Sequence, residues 1–483
     1  MEDYQIINLR SIFKKNRSLV LFFILTLCSH TICQSQIFSY QDSLRGSLRE
    51  ERTCFDVNYY DLAVNINPSN QSISGCNKIY FTTTKATQKI QIDLFSNLNI
   101  ISIRLKNNAV TYIRDKNAVF VYFKKTLQAN EKYCLTIKYD GKPVKAQNPP
   151  WDGGFVWTKD SKKQHWIALA CEGTGASCWF PNKDHLSDEP DSASITVTVP
   201  KGLMCVSNGK LRKTSHNNLT STYYWHVQYP INNYNITINI ANYKTIHDTF
   251  TSSDGQKLDL NYYVFEENLA KAKTHFQQVK TMLQCYEKYF GKYPFYNDGY
   301  ALVETPYWGM EHQSAIAYGN RFKNNEYDFD FIIIHESGHE WFGNSLSCND
   351  PAEMWIHESF TTYMESIYVE ETLGRKKSEE YLEEQSKKIR NKVPLIGPSG
   401  VNYQHPDSDI YYKGTWMLHK IRQKINNDTI WFSALKSLAE HFKIANVNTQ
   451  QIIEWLSTET RTNLKPIFDD YLYSTNTDLK KDY

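Results

Sequence analysis

Two histidines four residues apart, with a glutamate beside the first, stand in the stretch FIIIHESGHEWFGNSL at 331–346. On a helix, positions i and i+4 share a face, so His335 and His339 point the same way and Glu336 lies one position round. Two neutral imidazoles so placed bind zinc, and the glutamate can act on a water at the metal. A catalytic zinc wants a third protein ligand and an open fourth position. Glu358 supplies the candidate, giving the pattern H-E-x-x-H-x18-E. It sits in NDPAEMWIHESFTTYMESIYVEE, where Asp350, Pro351 and Glu353 make a helix-start signature. Glu358 then falls two turns into a second helix with Trp355, Phe360 and Tyr363 as core neighbours, and a carboxylate among aromatics needs a partner such as a metal ion. Gly338 costs about 1 kcal/mol inside a helix relative to alanine, which close packing of a backbone or ligand would explain. Glu340 and Asn344 are candidates to orient the imidazoles from behind. Taken alone, the motif also fits a core helix with two satisfied histidines.

The elements that must position these residues follow from the hydrophobic pattern. Period-two runs fill 50–245: Leu62, Val64 and Ile66; Ile90, Ile92 and Leu94; Ile195, Val197 and Val199; Ile236, Ile238 and Ile240. Broken by Asn, Gly, Pro and Ser clusters, they read as antiparallel sheet. After 265 the period becomes helical, with helices expected at 328–344, 351–373, 377–392, 414–425 and in several segments of 429–473. The expected class is α+β: an N-terminal antiparallel β domain over 50–247 and a mainly helical domain over 258–473. The boundary falls in the polar stretch IHDTFTSSDGQK at 246–257.

The chain has 483 residues, 41% hydrophobic and 22% charged, with a net charge of +2. That balance gives no reason to expect nucleic acid or an anionic membrane as partner. At the N-terminus, Arg10, Lys14, Lys15 and Arg17 precede the apolar run SLVLFFILTL, and the sequence then turns polar. This reads as a secretory signal over 1–33, cut after Cys33, with lipid attachment at Cys28 or Cys33 the less favoured alternative. The run is too short for a comfortable membrane span, so none is expected after signal removal. The protein is expected to be exported: periplasmic, cell-surface or secreted. Ten cysteines are present without a C-x-x-C pair, which argues against a cysteine zinc site. Export permits disulfides, and burial as small hydrophobes explains the cysteines equally well.

With HESGHEWFGN followed by WIHESFTTYMES, the chain resembles the aminopeptidase N family of zinc metallopeptidases. Upstream, YWGMEHQS at 307–314 resembles the family's G-x-M-E-N motif, here Gly309, Met310, Glu311 and His312. Downstream, IYYKGTWMLHKI resembles its Y-x-K-G segment and makes Tyr411, not Tyr412, the matching tyrosine. In the first half, CEGTGASCWFPNKDHLSDEP resembles the stretch that reaches the substrate cleft, with Glu172 at the second anchoring glutamate. The resemblance covers 50–473. It implies a saddle-like β domain packed on a thermolysin-like zinc domain. It also implies a zinc-dependent aminopeptidase that removes N-terminal residues from peptides by attack of a zinc-bound water.

By the same resemblance His335, His339 and Glu358 hold one zinc ion, Glu336 is the base, and Tyr411 donates to the oxyanion. Glu311 and Glu172 grip the substrate's free ammonium, with Gly309 and Met310 beside them. Two departures stand out. His312 replaces asparagine, which is expected to change how the peptide backbone is held, and Ala170 stands where glutamine is usual. A short tail at 474–483 follows the match, so the family's usual C-terminal domains are expected to be absent. A zinc epoxide hydrolase, an endopeptidase and a non-catalytic interaction protein on this fold are the rivals. The first typically has glutamine at Glu172, the second needs no ammonium anchor, and the third usually loses ligands or base.

Overall fold

A five-stranded sheet divides the protein into two cores. In the computed structural model, which describes residues 38–481, its strands run in the order Lys244–Thr251, Lys257–Val264, Tyr300–Glu304, Ile316–Tyr318, Gly309–Met310. Side chains alternate across a strand, and here the alternation sorts residues between cores. Ala301, Val303 and Ala317 join the core of the β-rich half; Tyr300, Leu302, Ile316 and Tyr318 join the core of the helical half. The polar stretch taken as a boundary is therefore no linker. It is the edge strand and turn of a hairpin whose two strands pair along their length from Lys244 to Val264.

The β-rich half is built on an eight-stranded sheet, supported by sheets of four and three strands. Strand Ser192–Pro200 shows the expected alternation, burying Ile195, Val197 and Val199. Strand Phe55–Asn67 buries Leu62, Val64 and Ile66 in the same way. The antiparallel expectation needs one correction, because these two strands pair in parallel. The chain last leaves the eight-stranded sheet after Gly141 and adds Gly154–Lys159 and His165–Ala170 to the four-stranded sheet before Ser192–Pro200 re-enters beside Phe55–Asn67. Strand Ile238–Ala241 is buried at every position, as a strand covered on both faces must be.

The helical half centres on Trp355–Leu373, buried at every residue from Trp355 to Val369. Its neighbours include helices Gln278–Phe290, Phe331–Gly338, Arg375–Ser386 and Asp409–Ile425. Two expected helices are shorter than the pattern suggested: 328–344 reduces to Phe331–Gly338, and 377–392 to Arg375–Ser386. Asp350 does cap the turn Pro351–Glu353, accepting from Ala352 N at 2.9 Å. Glu353 does not complete a capping box; its carboxylate accepts from Thr449 N at 2.7 Å instead.

All eight cysteines among the described residues are free thiols, so no disulfide bears on the fold there. Among the same residues, no helix is long and apolar enough to cross a membrane. The expected signal, with Cys28 and Cys33, lies outside the described residues.

Candidate metal centre and active cleft

Asp330 opens the helix Phe331–Gly338, its side chain accepting from Ile332 N at 3.1 Å. His335 lies on this helix, and His339 directly follows its last residue with helical φ and ψ of −61° and −18°. The i, i+4 geometry is thus kept although the helix has ended. Gly338 has its explanation: a Cβ there would stand 3.0 Å from Thr361 Cγ2 on the central helix. The two helices pack closely because one of them carries no side chain at that point.

That packing brings three donors together. His335 Nε2 and His339 Nε2 are 3.3 Å apart. Glu358 Oε2 stands 3.5 Å from the first and 3.4 Å from the second. The tautomers follow from the other ring nitrogens. His335 Nδ1 faces Glu365 Oε1 at 2.6 Å, and His339 Nδ1 faces the Phe342 carbonyl at 3.0 Å. Both Nδ1 atoms therefore carry the proton and donate, so both Nε2 atoms point lone pairs at the carboxylate. Glu358 Oε2 is buried without a hydrogen-bond partner among the described residues. Three buried acceptors turned toward one point suit a cation between them. Tetrahedral zinc with ligands at about 2.0–2.2 Å places its ligand atoms roughly 3.3–3.5 Å apart, so the donor set fits zinc without rearrangement.

The orienting residues differ from those expected. Glu340 accepts from Ser314 N at 2.9 Å and from Tyr293 OH at 2.8 Å. Asn344 donates to the Glu311 carbonyl at 2.8 Å. Neither touches an imidazole. The carboxylate behind His335 is Glu365, fixed in turn by Tyr381 OH and by Gln385 Nε2 at 3.2 Å. Glu365 lies seven positions after Glu358, on the same face of the same helix, and that spacing was its only signal in the sequence.

Around this centre lies a cleft of about 510 Å³, lined by residues from both halves. Glu336 is buried in its wall, and burial pushes its carboxyl up to about 7 against the pull of His335. Gly309 makes room for it: a Cβ would fall 2.4 Å from Glu336 Oε1. Tyr411 lies in the first turn of the helix Asp409–Ile425, its ring centroid 6.0 Å from that of His335, and burial with the nearby Glu358 charge raises its phenol well above the usual range. Lys413 and Gly414 of the Y-x-K-G segment are structural. Gly414 lets this helix approach the central one, since a Cβ would meet Ser359 Oγ at 1.7 Å, and Lys413 Nζ donates to the Ser474 carbonyl at 2.7 Å. Tyr412 lies under the ammonium of Lys388, 4.8 Å from the ring centre.

Glu311 follows the edge strand Gly309–Met310, and Tyr234 OH donates to its Oε1 at 2.9 Å. No sequence pattern singled out Tyr234. Glu172 enters from the β-rich half, and burial and the nearby Glu311 charge raise its carboxyl well above the usual range. His312 and Ala170 are buried and stand outside the lining of the cleft. The ring of His312 is thus turned into the protein and not toward the cleft.

Imidazoles four residues apart, a carboxylate from the next helix and a buried acid beside them make a candidate metal centre. The chain belongs to the M1 peptidase family, matching the Peptidase M1 N-terminal domain over residues 56–234 and the Peptidase family M1 domain over 274–471. It is 20% identical over 437 residues to a leucyl aminopeptidase of Saccharolobus solfataricus, which covers 86% of this chain and 53% of that protein. It is 22% identical over 407 residues to endoplasmic reticulum aminopeptidase 1 of Rattus norvegicus, covering 77% of this chain and 42% of that one. The chain thus spans about half the length of these relatives. The M1 zinc metallopeptidase structure from Deinococcus radiodurans shares the fold at TM-score 0.75 and 19% identity, over 89% of this chain and 96% of that chain.

Proposed function

We propose that this protein is a zinc-dependent aminopeptidase acting on peptides with a free N-terminus. One observation carries the reading. Glu172 and Glu311 face the cleft that holds Glu336 and Glu358, and the lining contains no lysine and a single arginine, Arg45, paired with Asp184 at 3.3 Å. A cation at the three donors leaves Glu172 and Glu311 still without a positive partner. The ammonium of a peptide is the group that satisfies them.

His335, His339 and Glu358 would hold the zinc, which supplies Lewis acidity and positive charge when bound. Glu311, aligned by Tyr234, and Glu172 accept hydrogen bonds from the substrate's ammonium and so select the first peptide bond. Gly309–Met310 is an edge strand of its sheet, so its free backbone groups can pair with an extended peptide. Glu336 accepts a proton from the attacking water and returns it to the leaving amine nitrogen. The Tyr411 hydroxyl donates to the oxyanion as it forms.

The test compares free and N-acetylated substrates. Aminoacyl arylamides should be cleaved, with activity lost to a chelator and restored by zinc. Acetylated peptides should be inert because their nitrogen carries no charge. Comparable rates on both would leave an endopeptidase in place of this reading. We also infer export, from the basic, apolar and polar order of residues 10–33. N-terminal sequencing of the mature protein checks this, and a chain that retains residues 1–33 refutes it.

A further inference from the structure

Glu172 sits on a turn with little regular structure of its own. Gly175 N donates to the Cys171 carbonyl at 2.6 Å, and Gly173 and Gly175 take φ of 66° and 96°. The group that pins this turn comes from far away in sequence. Arg45, in the helix Tyr40–Gly46, donates through Nη1 to the Gly173 carbonyl at 2.5 Å and to the Thr174 carbonyl at 2.7 Å. Its Nε stands 3.3 Å from Asp184 Oδ2, the oxygen that also accepts from Ser177 N at 3.1 Å and Ser177 Oγ at 2.5 Å. One guanidinium therefore holds the start of the turn directly and its end through Asp184.

Arg45 is itself held from the helical half. Asn402 N donates to the Asp42 carbonyl at 3.0 Å, and Ser47 Oγ to the Gly400 carbonyl at 3.1 Å. Gly46 lies so close to this loop that a Cβ would stand 2.1 Å from the Val401 carbonyl carbon. Asn402 Nδ2 also reaches the Gly173 carbonyl at 3.2 Å. Behind the turn lies a cavity of about 200 Å³, lined in part by Leu44, Arg45, Phe95, Gly173, Thr174 and Gln404. A turn released from Arg45 has space to move into.

We propose that Arg45 is a positioning residue for the N-terminal anchor. The segment 41–47 straps the Glu172 turn to the loop around 400–404, and Arg45 sets where the Glu172 carboxylate stands in the cleft. The proposal rests on the aminopeptidase reading, since it is the substrate's ammonium that registers the position of Glu172.

The test uses the full zinc-loaded chain as wild type, Arg45→Ala and Arg45→Lys. Zinc content, kinetics on a leucyl arylamide and amide hydrogen exchange over 171–178 are measured together. In Arg45→Ala, zinc content should not change, KM should rise about tenfold or more, and kcat should stay within about threefold. Exchange over 171–178 should quicken about tenfold while that of the Phe331–Gly338 helix stays as in the wild type. Arg45→Lys should recover part of both effects, because an ammonium can pair with Asp184 but cannot fork onto two carbonyls. An unchanged KM, unchanged exchange at 171–178, or a rise in exchange spread over the whole protein each overturn the proposal. A wild type that cleaves no arylamide refutes the aminopeptidase reading, and exchange then still decides whether Arg45 holds the turn.

Discussion

Adding one methyl group at Gly309 should disable the base without disturbing the metal. A Cβ there would stand 2.4 Å from Glu336 Oε1, 3.0 Å from Glu336 Cδ and 3.0 Å from Ile332 Cδ1. Ordinary contacts between such atoms lie at about 3.5 Å, so the carboxylate must retreat by roughly 1 Å. Ile332 can turn its terminal methyl aside, whereas Glu336 can yield only into the cleft, which takes its carboxylate from the place it holds beside the metal centre. The backbone at Gly309 is outside the left-handed region, so alanine adopts it without strain. A misplacement of about 1 Å at a reacting group costs on the order of 10²-fold in rate. That factor corresponds to about 2.7 kcal/mol of barrier. The assay is kcat and KM of Gly309→Ala on an aminoacyl arylamide, with zinc stoichiometry and Tm measured on the same sample. The expected result is a kcat lower by about 10²-fold with zinc and Tm near those of the wild type. A folded, zinc-loaded Gly309→Ala protein with normal kcat would refute the packing argument. So would a loss of activity that merely follows a loss of zinc.

Other substitutions separate the remaining roles. Glu336→Gln should retain zinc and lose at least about 10²–10⁴-fold in kcat, because an amide cannot take the proton; near-normal turnover rules out this base. Tyr411→Phe should lower kcat by about 10²–10³-fold with little change in KM, whereas Tyr412→Phe should be mild. The reverse ranking would mean that the wrong tyrosine faces the oxyanion. Glu365→Ala should weaken zinc binding by about 10–100-fold, measured by competition with a chelator, because His335 loses the acceptor that fixes its tautomer. Equal stripping of variant and wild type would show that Glu365 does not support the ligand.

The chemistry was legible in the sequence because it sits in short local patterns. His335, Glu336 and His339 need only helical periodicity to share a face, and Glu358 needs only the second helix. Glu172, Glu311 and Tyr411 were legible through resemblance, since no spacing along the chain brings three such distant residues to one cleft. The strand runs were legible too, because burial on one face writes a period of two into the residues. Other features were beyond that kind of reading. The parallel pairing of Phe55–Asn67 with Ser192–Pro200 depends on the direction of a returning chain, not on either strand's pattern. Glu340 and Asn344 carry as much polar promise as Glu365, yet only Glu365 meets an imidazole.

By itself, then, the sequence determined which elements form and which side chains can bind a metal, move a proton or carry charge. Local propensity and periodicity act within a few turns of backbone, and a motif of that length carries its own geometry. The tertiary structure alone decided which carboxylate backs His335, that Gly309 faces Glu336, that His312 turns away from the cleft, and that Arg45 holds the Glu172 turn. These contacts join residues separated by as many as 139 positions, from Arg45 to Asp184. Such pairings arise when whole elements pack to bury their apolar faces, and no local pattern encodes which polar groups that packing will bring together.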